Sequence, residues 1–344
     1  MLLYHYDLAF GDVPVFQHAW MAVDFFFLLS GFVLTAGVGH RCHDARSGLT
    51  FVAERIGRLW PVMAVGSAIG FAVAWWDQGL TRGVMTSLAL ALLLIPSLTP
   101  RAGIFPLNGP QWSLMFELIA NAVHALVFWR LRTRMLLIVA GVSWLGLVAV
   151  AYSKGEMAYG PMCPGWQLAI PRIGYAYTLG CVMGRHSSQI VRLVKAPWWV
   201  PMLLLGLLLL RPGREQLIDG GWDVATLLAF PMVLALSLSA RPPRKLHQAM
   251  SIAGAASWPL YAFHSPILDA AKSVAATGLV AQGVAAPLAL VLAIVLALYV
   301  GPSRLAKGIK LRSPSEDQQT SACSQAPRRT LRRLSTLYGG ASPL

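Results

Sequence analysis

The chain has 344 residues and a formal net charge of +14; 56% of its residues are hydrophobic and only 12% are charged. A soluble globular domain has about 25% charged residues, so the composition excludes an ordinary soluble protein. The hydrophobic residues form long runs, for example at 134–152 and 279–300. Each is close to the ~20 residues that a helix needs to cross a bilayer, which predicts an all-α, polytopic membrane protein.

The positive charge is explained by membrane topology, because Lys and Arg accumulate in cytoplasmic loops. No basic patch interleaved with aromatic residues indicates a nucleic-acid surface. The cysteines at 42, 163, 181 and 323 lack the spacing of metal ligands or of a disulfide framework. We therefore expect neither a nucleic-acid partner nor a metal site.

Apolar segments lie, in chain order, at 1–10, 19–39, 57–77, 84–100, 112–129, 134–152, 166–184, 197–210, 222–240, 251–270 and 279–301. From about 304 the chain becomes polar and basic. We predict a membrane domain over 1–303 and a disordered cytoplasmic tail over 304–344 that lies on anionic membrane lipids. A tail that binds a partner protein is the alternative.

Basic residues place the loops at 40–58, 130–134, 185–195 and 241–245 in the cytoplasm. Three apolar segments separate the first two of these loops. Because both loops are predicted to be cytoplasmic, the chain must cross the membrane an even number of times between them. The segment 84–100 is the shortest and ends in prolines, so we expect it to be re-entrant or to lie against the bundle. About ten crossings result, with both termini inside.

Ionisable residues inside apolar segments are costly and usually functional. They are Asp24, Glu117, His5, His124, His264, Arg172 and, near a helix end, Asp269. A buried ion pair that only fixes helix packing is the structural alternative.

Two stretches give these residues a pattern. In QWSLMFELIANAVH, Ser113 and Glu117 are four residues apart and share one helix face, while Trp112 suits the membrane interface. In FVAERIGRLWP, Arg55 and Arg58 are three apart, a spacing that suits a phosphate group. Positive-inside anchoring is the other interpretation of this arginine pair.

Read in order, the stretches LLYHY, AVDFFFLLSGFVL, RIGRLWP, QWSLMFE, PRIGYAYTLGCVMG and SWPLYAFH resemble acyltransferase family 3, integral membrane O-acyltransferases that are largely bacterial. The resemblance covers about residues 1–300. It implies a bundle of about ten helices in the inner membrane. It also implies transfer of an acyl group, commonly acetyl, from acyl-CoA to a hydroxyl of a carbohydrate, surface polysaccharide or lipid.

The resemblance further implies roles for single residues. The catalytic residues would be His5, Asp24 and Glu117. Acyl-CoA would be bound by Arg55, Arg58 and Arg172. The substrate would be bound by Trp112, Ser113, Tyr261 and His264. His5 would take the proton of the acceptor hydroxyl, with Glu117 or Asp24 orienting the imidazole. Gly180 and Gly184 would allow close helix packing.

One feature departs from the family pattern, which has an arginine eleven positions before the histidine. His5 is the fifth residue, so the sequence predicts a truncated first helix or a start at an internal methionine. Two other functions stay open: a membrane transporter, whose buried charges would form an ion path, and an inactive member of the same fold.

Overall fold

The computed structural model of the protein describes residues 1–11, 16, 18–38, 45–155, 157–210, 219–278 and 280–300. The helices in this part are α1 (Leu2–Phe10), α2 (Ala22–Val38), α3 (Ala45–Gln78), α4 (Arg82–Leu92), α5 (Gln111–Val123), α6 (Thr133–Lys154), α7 (Ile170–Arg185), α8 (Ser187–Leu193), α9 (Trp199–Leu209), α10 (Asp219–Ser239), α11 (Arg244–Ala276) and α12 (Gln282–Val300). Turns of 3-10 helix at Ala19–Met21 and Trp166–Ala169 precede α2 and α7, and a π-helical turn at His124–Phe128 continues α5. The predicted all-α bundle is confirmed, while the predicted tail at 304–344 lies outside the described residues.

Five helical segments among the described residues are long and apolar enough to cross a membrane. They are Ala19–Gly37, Arg46–Gln78, Gln111–Phe128, Thr133–Lys154 and Gly221–Ser239. Several of the apolar side chains on α6 are more than half exposed, as are others on α9 and α12, which suits contact with lipid. The chain is therefore a multi-pass membrane protein.

The segment predicted not to cross contains the short helix α4. Its 11 residues span only about 16 Å, roughly half of the hydrocarbon thickness. The Thr81 hydroxyl caps its first turn by accepting from the Val84 amide. Its last turn is held against α3, where Trp60 Nε1 donates to the Leu92 carbonyl over 2.8 Å. This length and packing agree with the expectation that the segment lies against the bundle.

The prediction that residues 40–58 form a loop is wrong from Ala45 onward, because α3 already begins there. Helix α11 also begins earlier than its apolar segment, at Arg244. Hydropathy detects only the apolar part of a helix. The polar extensions contain residues that favour helix and need no lipid contact.

Helices α2 and α7 pack with their backbones in near contact. A Cβ atom added to Gly180 would overlap the Leu28 carbonyl oxygen, and one added to Gly31 would overlap the carbonyl oxygen of Tyr177. At Gly184 an added Cβ would lie 2.7 Å from the Thr35 Cβ. The predicted close packing at Gly180 and Gly184 is confirmed, and it brings polar residues of the two helices together.

A buried hydrogen-bond network fixes the start of α5. Asn108 Nδ2 donates to the Ala262 carbonyl over 3.1 Å, and Gln111 Nε2 donates to the Ala91 carbonyl over 2.6 Å. The Ser67 hydroxyl donates to Gln111 Oε1 over 2.7 Å. In an apolar interior such hydrogen bonds between buried polar groups favour one arrangement. The network therefore sets where the Trp-Ser-Glu stretch of α5 points.

Candidate active site

A buried arginine organises the first polar cluster, which we call the Arg172 cluster (Trp20, Asp24, Trp112, Met157 and Arg172). Arg172 Nε lies 3.0 Å from Asp24 Oδ1, and Nη1 donates to the Met157 carbonyl over 2.5 Å. The guanidinium carbon lies 4.7 Å from the ring centroid of Trp20 and 5.5 Å from that of Trp112. The aspartate that stands before the three phenylalanines therefore has an ionic partner within the bundle.

Burial makes this ion pair sensitive to loss of either partner. The side chains of Arg172 and Asp24 are 2% and 0% exposed. A buried charge without a partner costs several kcal/mol, so each residue needs the other. Trp20 was not predicted as a site residue, although it precedes Asp24 by four positions, the spacing of neighbours on a helix face.

A cavity of about 220 Å³ lies beside the Arg172 cluster. It is lined by Met1, Tyr4, His5, Leu8, Trp20, Val23, Gly109, Trp112, Ala158, Tyr159, Pro161 and Arg172. Three predicted site residues, His5, Trp112 and Arg172, thus share one cavity although they come from α1, α5 and α7. The Gly160 backbone lies against the Trp112 indole, where a Cβ would clash, and its φ of +139° also favours glycine.

His5, which lines this cavity, contacts a second histidine, His264. The rings of His5 and His264 lie edge to face with their centroids 4.8 Å apart. His264 Nδ1 is 3.0 Å from the Leu260 carbonyl oxygen, which can only accept, so Nδ1 is the protonated nitrogen. His264 Nε2 is buried and has no hydrogen-bond partner among the described residues. This nitrogen is therefore able to accept a proton or a hydrogen bond.

Ser113 and Tyr261 continue the site on the α5 and α11 sides. Their hydroxyl oxygens are 2.5 Å apart, and the Tyr261 ring stacks on Phe26 with an interplanar angle of 8°. The Tyr261 hydroxyl also interacts electrostatically with Glu117, Arg172 and Asp24. Tyr261 therefore connects the polar face of α5 with α11.

The second polar cluster, the Glu117 cluster, consists of Arg55, Glu117, Asn121, His124 and Cys181. Glu117 and Asn121 are one turn apart on α5, and the Glu117 carboxylate interacts electrostatically with Arg55. Cys181 Sγ lies 3.5 Å from His124 Nδ1. Glu117 Oε2 and Asn121 Nδ2 are both buried and have no hydrogen-bond partner among the described residues.

One stripe of α5 joins the two clusters. Ser113, Glu117 and Asn121 are buried and follow each other at intervals of four residues. This confirms the predicted polar face of the QWSLMFE stretch. Arg58, the second arginine of the predicted phosphate site, is exposed on α3, one helical turn after Arg55.

The expected orientation of the His5 imidazole by Asp24 or Glu117 differs from the contacts that are present. Asp24 pairs with Arg172, and Glu117 interacts electrostatically with Arg55, while His5 contacts Tyr4 and His264. Arg172 was assigned to the acyl donor, yet its contacts are to Asp24 and the Met157 carbonyl. The catalytic and donor-binding roles of these residues stay predictions. Among the described residues, no group of three or more His, Cys, Asp or Glu side chains could hold a metal ion.

Comparison with known proteins identifies the family to which the chain belongs. The sequence model of a family described as "Acyltransferase domain", acyltransferase family 3, matches residues 1–301. The chain belongs to acyltransferase family 3. The match covers the whole described part of the protein and confirms the family that the residue patterns indicate. This protein is therefore a membrane acyltransferase.

One relative of this acyltransferase is "Protein 2 in picA locus" of Rhizobium radiobacter. The two chains are 30% identical over 165 residues, which cover 43% of the acyltransferase and 85% of the relative. No solved structure matches the acyltransferase.

Proposed function

We propose that this acyltransferase is an O-acyltransferase of the bacterial inner membrane that moves an acyl group, acetyl in the simplest case, from acyl-CoA to a hydroxyl of a carbohydrate or lipid acceptor. The observation that carries the proposal is the shared cavity, whose lining includes the His5 imidazole and the buried Arg172 guanidinium, together with the ring contact between His5 and His264. Acyl transfer needs a base for the hydroxyl proton and a positive group for the developing oxyanion.

His5 acts as the general base. The acceptor oxygen attacks the thioester carbonyl while its proton passes to the imidazole. Collapse of the tetrahedral intermediate forms the ester and breaks the carbon–sulfur bond. The imidazolium then returns the proton to the departing CoA sulfur. Imidazole suits this exchange because its ordinary pKa lies near neutral pH.

Arg172 supports this step through its position. The Asp24 carboxylate, the Met157 carbonyl and the two indole rings hold the guanidinium in place at the cavity wall. A fixed cation in a site with little water stabilises a developing oxyanion without reorganisation. We therefore assign Arg172 to the reacting carbonyl and not to the CoA phosphates.

The donor is proposed to enter from the cytoplasmic end of α3. Arg55 and Arg58 lie one turn apart there, and Arg58 is exposed to receive phosphate groups. The polar stripe of α5 leads from Glu117, which faces Arg55, to Ser113, whose neighbour Trp112 lines the cavity that contains His5. Along this path, the arm of acyl-CoA that ends in the thioester would pass between the Arg172 cluster and the Glu117 cluster.

The test is acyl transfer by the purified protein in lipid nanodiscs supplied with [1-14C]acetyl-CoA and a membrane extract as acceptor. We expect His5→Ala to lower the transfer rate by about 10²–10⁴-fold while its thermal unfolding stays near that of wild type. The matched control is His247→Ala, because His247 is exposed near the cytoplasmic start of α11. It should transfer at the wild-type rate.

Wild-type transfer by His5→Ala would overturn the base assignment. If the wild-type protein neither transfers acetyl groups nor hydrolyses acetyl-CoA, the donor assignment fails as well, and the inactive-member reading is then favoured.

A further inference from the structure

The cavity that His5 lines is larger than the transfer of an acetyl group requires. A cavity of about 150 Å³ accepts benzene, so each carbon atom needs about 25 Å³. On that measure the acetyl group, the thioester sulfur and the attacking oxygen together fill about 125 Å³. The cavity has a volume of about 220 Å³, which leaves room for about three more carbon atoms.

The lining of this cavity suits hydrocarbon. Apart from His5 and Arg172, its side chains are aliphatic or aromatic. Val23, which is 3% exposed, belongs to its buried part, whereas Leu8 and Ala158 are exposed at its edge. A polar group in the buried part would lose hydrogen bonds to water that aliphatic and indole surfaces do not replace. The buried part is therefore suited to an alkyl chain, and the exposed edge leaves a way in for an acceptor hydroxyl.

The position of Arg172 determines where such a chain would begin. The proposed transfer step holds the reacting carbonyl at the Arg172 guanidinium, which lies 4.7 Å from the ring centroid of Trp20 and 5.5 Å from that of Trp112. Both indoles line the cavity, as does Val23, the residue before Asp24. An alkyl group on a carbonyl held at Arg172 would therefore lie against the two indoles and Val23.

One wall of the cavity is held in place at both ends. This wall is the segment 157–161, three of whose residues line the cavity. Arg172 Nη1 donates to the Met157 carbonyl over 2.5 Å, and the Ile104 amide donates to the Pro161 carbonyl over 2.8 Å. A wall that is anchored in this way resists expansion. We therefore expect an upper limit to the length of chain that the cavity accepts.

We propose that this cavity binds the hydrocarbon chain of the acyl donor, and that the preferred donor carries a neutral acyl group of about four or five carbon atoms. The proposal rests on the proposed O-acyl transfer, and it replaces acetyl, the simplest case, by a longer chain. Val23, Trp20 and Trp112 are then the residues that determine chain length.

The experiment compares [1-14C]acetyl-CoA, [1-14C]butyryl-CoA and [1-14C]octanoyl-CoA as donors for the purified protein in nanodiscs, with a membrane extract as acceptor. Each buried methylene improves binding about fourfold, so we expect kcat/KM for butyryl-CoA to exceed that for acetyl-CoA by about tenfold. Octanoyl-CoA should be at least about tenfold worse than butyryl-CoA, because its chain exceeds the available space.

Two variants of Val23 test its role in opposite directions. Val23→Leu adds a methylene to the wall and should raise the ratio of acetyl to butyryl transfer about fourfold. Val23→Ala enlarges the cavity and should raise the ratio of octanoyl to butyryl transfer by a similar factor. These ratios do not depend on how much of a variant is folded. The matched control is Val233→Ala, because Val233 is equally buried, at 2% exposed, but does not line the cavity. Its donor ratios should equal those of wild type.

Three results would overturn the proposal: a wild-type preference for acetyl-CoA over butyryl-CoA, Val23 variants with the donor ratios of wild type, or a Val233→Ala variant with the same shift as Val23→Ala. Rates that change equally for all donors in the Val23 variants belong to the second of these results and would indicate that the cavity holds part of the acceptor. All three leave a protein that transfers acyl groups, so the proposed function survives. Wild-type protein that transfers from none of the donors would instead overturn the proposed function and this assignment with it.

Discussion

The Arg172 cluster and the Glu117 cluster balance their buried charges in different ways. In the first, an almost fully buried arginine has an almost fully buried aspartate, a carbonyl and two indole rings around it. In the second, buried Glu117 faces Arg55, which is only partly buried and extends toward exposed Arg58. The comparison suggests that the first cluster is a fixed structural element at the cavity, whereas the second retains access to solvent.

The largest expected effect follows from breaking the first cluster. Arg172→Met leaves the Asp24 carboxylate buried without a cation, which should lower the free energy of unfolding by about 3–5 kcal/mol. The measurement is thermal unfolding in detergent, followed by size-exclusion chromatography. The double variant Arg172→Met, Asp24→Leu is the control, because removal of both charges should restore much of the folded protein. A single variant as stable as wild type would contradict the ion-pair account.

The next effect concerns the helix contact that holds the first cluster together. Gly180→Ala adds a Cβ that would overlap the Leu28 carbonyl oxygen, so α2 and α7 must separate. Such overpacking should lower the free energy of unfolding by about 1–3 kcal/mol. Gly141→Ala on α6 is the matched control, since nothing lies within 4 Å of its added Cβ. It should be neutral or stabilising by up to about 1 kcal/mol. Equal unfolding temperatures for the two variants would count against the close contact.

The smallest effect is expected in the second cluster. Glu117→Gln keeps the shape of the side chain but removes the charge that faces Arg55. Arg55 is partly exposed and can be hydrated, so the free energy of unfolding should change by no more than about 1 kcal/mol. We expect transfer to fall about tenfold, because one charged interaction near the donor path is lost. The measurement is the Michaelis constant for acetyl-CoA and the turnover number in nanodiscs.

If Glu117→Gln unfolds as readily as Arg172→Met, the two clusters are alike and the distinction between them is wrong. A loss of turnover as large as that expected for His5→Ala would instead place Glu117 in the reaction itself.

Much of the molecule could be predicted from the sequence because its determinants are local. Runs of apolar residues are required wherever a helix meets lipid, and the short segment that ends in Pro96 and Pro100 could be recognised by its length. The polar face of α5 could be predicted from the four-residue spacing of Ser113 and Glu117. The boundaries of α3 and α11 could not, because their polar extensions carry no hydropathy signal.

The sequence by itself determined the all-α membrane architecture, the family, and the short list of ionisable residues that must find partners in an apolar interior. Only the tertiary structure decided which residues pair with each of these ionisable residues. Asp24 meets Arg172 and not His5, and His5 meets His264, because the close glycine contact of α2 with α7 and the hydrogen-bonded 106–111 segment set distances between residues far apart in the chain. Pairing of buried charges is a property of packing, which periodicity along one helix does not contain.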